Sequence, residues 1–186
     1  METDRPVTNT FVQRLIGAAA CDVAIYEDVE RDRGATTQAF VVVLLSSIAG
    51  GLGFSGLTGG PIDLGTILSL SIVALMAWAA WALLTYVIGV HLLGEPQTRA
   101  DVGELLRTIG FASTPGILRV LGIMTPVARP VLVATAIWML VAMVVAVRQA
   151  LDYRSTARAV AVCLAGWILA IAMAVVMGLV FTPSVS

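Results

Sequence analysis

From Thr36 to Phe54, Leu64 to Leu93, Val131 to Val147 and Ala159 to Phe181 the chain carries no Asp, Glu, Lys or Arg. Uncharged apolar runs of about 18 residues are long enough to cross the hydrocarbon core of a bilayer as helices. No other feature narrows the possible folds so far. The expected class is all-α: a polytopic membrane protein.

Composition agrees. Hydrophobic residues make up 59% and charged residues 12%, against about a quarter charged in a soluble domain. The net charge of −1 and the lack of a basic run argue against a nucleic-acid partner. All 11 basic residues are Arg, a weak compositional pointer to a GC-rich bacterial genome and hence to a bacterial inner membrane. Cys21 and Cys163 do not form a CxxC pair, so they read as small buried thiols with no metal or redox role. The opening METDRPVTNTF mixes acid and base and leads into no apolar core before Thr36, so it is not read as a signal peptide and the first span is expected to be an uncleaved anchor.

Residues 1–35 are expected to form a cytoplasmic segment and residues 36–186 the membrane domain. Within the first, Thr8 to Arg33 has the spacing of one amphipathic helix. Phe11, Leu15, Ala19, Val23, Tyr26 and Val29 share a face, and Arg14, Asp22, Asp28 and Asp32 lie mostly off it. Such a helix lies on the membrane surface or packs under the bundle. Its acidic end makes Tyr26, Glu27 and Glu30 candidate partner contacts. The first span is placed at about 36–54, followed by a Gly- and Pro-rich turn, FSGLTGGPIDL. Gly51, Gly53 and Gly56 match G-x-G-x-x-G, but no strand–helix unit surrounds them, so no dinucleotide site follows. These glycines read as the end of a membrane helix or as a close helix contact. The second span, 64–93, carries Trp78, Trp81 and Tyr86, and ends near His91, the single histidine. A lone His supports neither a metal cluster nor a catalytic triad. The fourth span covers 130–148 and the last 157–181. On the last, Gly166, Ala170, Ala174 and Gly178 recur every four residues, a small-residue stripe suited to close helix contact.

The stretch Glu104 to Pro130 (ELLRTIGFASTPGILRVLGIMTPVARP) decides the topology. Its nine Leu, Ile, Val or Phe residues between Leu105 and Ile123 favour insertion by about 3 to 5 kcal/mol. A central Arg119 costs about 2.5 to 3.5 kcal/mol, and Pro115 with several glycines interrupts the helix. The distribution of arginines arbitrates. If 104–126 crosses, Arg5, Arg14, Arg31, Arg33, Arg99, Arg107, Arg148, Arg154 and Arg158 lie on the cytoplasmic side and only Arg129 lies outside. If it dips in and returns, Arg148, Arg154 and Arg158 move outside. The positive-inside rule prefers the first partition. Five spans are therefore expected, N-terminus in the cytoplasm and C-terminus outside, with the third broken near Pro115.

Three blocks carry a resemblance. YEDVERDRGATTQA (Tyr26 to Ala39), GELLRTIGFASTPGILRVLG (Gly103 to Gly122) and IWMLVAMVVAVRQALDYRSTARAVAVCLAGWI (Ile137 to Ile168) resemble the Yip1 domain family in its bacterial form. The resemblance covers the chain from about Leu15 to Gly178 and implies five membrane helices with a cytoplasmic N-terminus. Gly110, Phe111 and Pro115 match the family's glycine, aromatic and proline positions in the third span. Eukaryotic members act in vesicle traffic and contact small GTPases; their Asp-Leu-Tyr-Gly-Pro motif does not occur in this sequence. The resemblance brings no catalytic residue and no cofactor.

The residues favour a non-enzymatic scaffold or accessory subunit, partnered by the lipid bilayer and by other membrane proteins in a homo- or hetero-oligomer. The alternative is a small-solute or anion transporter or channel using the break at Pro115, with Arg119 as its polar residue. No nucleophile and base are paired anywhere, so no enzyme activity, cofactor or metal is expected.

Overall fold

The computed structural model describes residues 9–60 and 62–181, with side chains described as far as residue 169 apart from position 125. Among these residues the secondary structure is entirely helical. Helix α1 spans Phe11–Ala19, and a reciprocal cap between Thr10 and Gln13 starts it. It does not continue to Arg33. Cys21 adopts a left-handed backbone, φ +58°, which no α-helix accommodates. Asp22 then accepts from the Ala24 N–H and starts α2, Val23–Arg31. The expected single amphipathic helix is thus two short ones with a corner between them.

Helix α3 runs Ala35–Thr58, past the expected end at Phe54. The turn shrinks to 59–63, opened by Gly59 at φ +66°. Gly53 and Gly56 therefore sit inside the helix. Asp63 accepts from the N–H groups of Gly65 and Thr66 and starts α4, Leu64–Tyr86, which widens into a π turn over Val87–Leu92. A π turn disturbs the regular ladder of carbonyls, and here Tyr153 donates to the Gly89 oxygen at 2.6 Å. Arg158 donates to the Leu93 oxygen and pairs with Glu95 at 3.3 Å.

The ambiguous stretch forms two pieces. Helix α5 covers Val102–Ala112, with a capping box between Asp101 and Glu104. A 3₁₀ helix follows over Thr114–Ile123. Pro115 causes the change: it has no N–H and its ring crowds the preceding turn. The Phe111 carbonyl is instead satisfied by the Thr114 hydroxyl at 2.6 Å. After a short turn at Thr125–Val127 come α6, Ala128–Ala150, and α7, Thr156–Phe181.

This two-piece segment lies along α3 and points the same way. Built Cβ atoms on successive glycines give the register: Gly110 against Ala39, Gly116 against Ser46, Gly53 against Arg119, and Gly56 against Gly122. A 3₁₀ helix rises about 2.0 Å per residue against about 1.5 Å in an α-helix. Twelve residues of mostly 3₁₀ geometry therefore cover about the length of seventeen in α3. Three residues per turn also put Gly116, Arg119 and Gly122 on one line facing α3.

Helix α3, α4 with its π turn, and α6 are each long and apolar enough to cross a membrane, with mean hydropathies of 2.0, 2.2 and 2.5. The 26-residue α7 adds a further apolar stretch over Thr156–Leu169. We call the end holding α1 and α2 proximal and the end holding Gly59 distal. Two apolar clusters form the core, both in the proximal half. One joins Tyr26, Val29, Ala39, Val42, Phe111 and Ala146; the other joins Ala82, Leu105, Ile109, Val147, Leu151 and Val162.

Candidate functional site

Two polar arrangements stand out against this apolar background. The first is a platform at the proximal end. Arg14 is only 2% exposed, although its spacing places it off the apolar face of the expected helix. It pairs with Asp28 and Asp32, both at 2.8 Å, and donates to Gln38 at 3.0 Å. One side chain thus ties α1 to α2 and α3. Burial opposes its charge, but the carboxylates of Asp28 and Asp32 more than offset this and hold its pKa above the ordinary value. The Arg14 hydrogen bond, aided by the Gly34 N–H, holds Asp32 below the usual carboxylate range. Arg107, also buried, donates to the Val29 and Glu30 carbonyls in the last turn of α2. There it meets both unpaired acceptors and the negative end of the helix dipole.

Burial of α1 follows the expected face only in part: Phe11 and Leu15 pack against the core, but the most deeply buried positions are others. Its inner side holds Arg14 and Ala18, while Val12 and Ile16 are 60% and 67% exposed. The helix is anchored below the rim of the bundle. Phe11 meets Phe111 edge-on at 6.3 Å, and the Trp138 indole donates to the Ala19 carbonyl at 2.7 Å.

Of the three expected partner contacts, Tyr26 has to be reassigned. It is wholly buried, its hydroxyl donating to the Ala18 carbonyl, because the corner at Cys21 folds α1 back over it. Glu27 and Glu30 remain partly exposed. Burial, with the nearby carboxylates of Glu104, Asp152 and Glu27, pushes the Glu30 carboxyl up to about 7. A raised carboxyl favours the folded state while protonated. That contribution is full below the unfolded value of about 4.3 and is lost as pH rises through about 7. The thermal midpoint in detergent is therefore expected to fall between pH 5 and pH 8, and Glu30→Gln should flatten that slope and raise the midpoint at pH 8. An unchanged slope in Glu30→Gln would assign the pH dependence elsewhere.

The second arrangement is a cavity of about 420 Å³ at mid-depth, to which α3, α4, α5, α6 and α7 all contribute. Its walls are chiefly Trp78, Trp81, Trp167, Met139 and Met143, with Arg119 as the one charged group among its lining residues. The Arg119 Nε donates to the Thr135 hydroxyl at 3.4 Å. No carboxylate pairs with it among the described residues. Trp81 Nε1 is buried without an acceptor, whereas the Trp78 indole donates to the Leu106 carbonyl. A second space of about 180 Å³ on the α6 side shares Arg119, Ser113 and Trp167.

The expected polar pair of the third span separates. Pro115 is buried at the start of the 3₁₀ helix and shapes the backbone; Arg119, four residues on, supplies the charge. On α7, a Cβ at Gly166 would lie 2.9 Å from the Trp81 ring, so this glycine faces α4. The side chains of Ala170, Ala174 and Gly178 lie outside the described residues. A contact of small residues that the periodicity of α7 does not reveal lies on α3, where Gly53 and Gly56 meet the backbone of the 3₁₀ helix. The spacing of Gly116, Arg119 and Gly122 by three was the available signal.

No curated protein and no solved structure matches the chain. A family model described as the Yip1 domain matches residues 23–177, which takes in α2, both pieces of the broken segment and most of α7. With most of its length covered, the chain belongs to the Yip1 domain family, and it is a membrane protein of that family.

Proposed function

We propose that this protein is a non-enzymatic membrane scaffold or accessory subunit with five crossings. Residues 1–35 form its cytoplasmic segment and residues 36–186 its membrane domain, in a bacterial inner membrane. The parallel course of 102–123 beside α3 supports counting it as the third crossing. In that topology α1 sits in the cytoplasmic leaflet with Val12 and Ile16 towards acyl chains, as an interfacial helix does. Impermeant maleimide should label Gly60→Cys in intact cells, in a background without Cys21 and Cys163, and label Ser155→Cys only after lysis. The opposite pattern would overturn the orientation.

One observation carries the accessory role: α4 is bound to its own chain on little of its surface. Its most apolar stretch is 17% buried, against 22% for α6 and 33% for α3, and Leu68, Ile72 and Met76 are all more than half exposed. In a bilayer there is no hydrophobic drive between helices, so such a face serves lipid or a packed partner equally. A photocrosslinker at Leu68, Ile72 or Met76 is expected to give one recurrent protein adduct in cells. Adducts to lipid alone at all three positions would remove the accessory reading. Passage of a small anion is a second reading, favoured by unpaired Arg119 at mid-depth. Proteoliposome flux lost in Arg119→Gln would support it.

A further inference from the structure

We infer that the mid-depth cavity is a binding site for an amphipathic anion: one acidic oxygen head, carboxylate or phosphate, on a hydrocarbon tail. This goes beyond the accessory role and does not rest on it.

The position of the Arg119 side chain carries the argument. Its backbone oxygen lies against Gly53, near the distal end of α3. A snorkelling arginine would turn towards that nearer surface. This one turns the other way. A Cβ built on Gly50, almost one helical turn deeper, would lie 3.7 Å from both its Cδ and its Nη1. The cause is directional: helical side chains lean towards the N-terminal end of their helix, and this segment runs from proximal to distal. The charge is held at depth by the backbone that carries it.

An unpaired guanidinium there is costly unless something neutralises it. It has five N–H donors, of which the described residues engage one, Nε on Thr135. Trp81, on the same wall, lends its ring to the cavity, while its indole nitrogen is wholly covered and has no exposed surface there. The guanidinium N–H groups left over, on a lining with no carboxylate among the described residues, define a place for anionic oxygen. The rest of the wall is indole, thioether and methyl, which defines a place for a hydrocarbon. A mostly apolar cavity with a few placed polar groups is the usual form of a small-ligand site. The apolar crevice between α4 and α7, about 540 Å³, adjoins it through Ala77 and Trp81 and gives the tail room to leave towards lipid.

The test uses the whole protein in mild detergent and its own fluorescence. Three of its four tryptophans border the cavity, so a brominated acyl chain bound there quenches them. Titration with a brominated fatty acid is expected to saturate near one equivalent. The brominated fatty alcohol of equal length should bind about tenfold more weakly or worse. Arg119→Gln should lose the preference for acid over alcohol, and Arg119→Lys should keep part of it. Competition by phosphatidylglycerol but not phosphatidylcholine would assign the head to a phospholipid phosphate, whereas competition by unlabelled fatty acid alone would assign it to a carboxylate. Equal quenching by acid and alcohol in the wild-type protein would overturn the site. That comparison stands even where an Arg119 variant does not fold. Unchanged acid selectivity in folded Arg119→Gln would overturn it equally.

Discussion

Replacing Gly56 with alanine is expected to cost about 3 kcal/mol or more of stability, and replacing it with leucine to prevent the native packing. The three atoms nearest to a Cβ at Gly56 would all be backbone, among them the Gly122 carbonyl oxygen at 2.0 Å and the Ile123 Cα at 2.8 Å. No rotamer change relieves such a clash. Relief requires moving the whole 3₁₀ helix off α3, with the loss of every dispersion contact on that line, and dispersion is the main force holding membrane helices together. Gly50→Ala in the same helix is the control. Its Cβ meets nothing closer than 3.7 Å, and alanine gains about 0.5 to 1 kcal/mol of helix propensity over glycine. Unfolding in mixed micelles, followed by tryptophan fluorescence, should show the two variants shifting in opposite directions. Equal shifts would mean that α3 and the 3₁₀ helix do not approach as closely as described.

Arg14→Ala is the second large effect, expected at about 2 to 3 kcal/mol, below the full cost of breaking a buried pair because Asp28 and Asp32 keep some access to water. It removes the one side chain that joins α1 to α2 and α3, so the loss should be local first. The amides of α1 are expected to lose protection from hydrogen exchange while those of α6 keep theirs. Asp28→Asn with Asp32→Asn in the Arg14→Met background should recover part of the loss, since neutral partners no longer need the cation. The same cluster contributes to stability in acid. Asp32 titrates below its ordinary value in the folded chain, so its contribution is present above the unfolded value of about 3.9 and is lost as pH falls through the folded one. Uniform loss of protection along the chain would show that α1 is not a separately held unit.

Much of the fold is legible in the chain itself, and the reasons are local. An apolar run of about 20 residues has few alternatives to a membrane helix, which is why α3, α4, α6 and α7 fall near their expected positions. Caps at Asp63 and Asp101 are equally local. Failures arise where a distant contact overrides the local pattern. The amphipathic period over Thr8 to Arg33 carries no sign of the corner at Cys21, because only the bundle behind it makes a left-handed residue worth its strain. The expected end of α3 at Phe54 fails because glycine weakens an isolated helix, while here the backbone of another segment fills the space. For the site, Pro115 and Arg119 could be singled out from sequence; the tryptophans around them could not be told from ordinary packing.

Alone, then, the sequence determined the solvent, the four long apolar helices and the break at Pro115, because hydrophobicity, length and the missing proline N–H act within a few residues. Only the tertiary structure decided that the broken segment lies parallel to α3, that Arg14 is buried beside two carboxylates, and that Arg119 turns inward to an apolar cavity. Those outcomes depend on which surfaces meet across tens of residues. In a bilayer, where burial alone does not select partners, close packing and the pairing of polar groups make that choice.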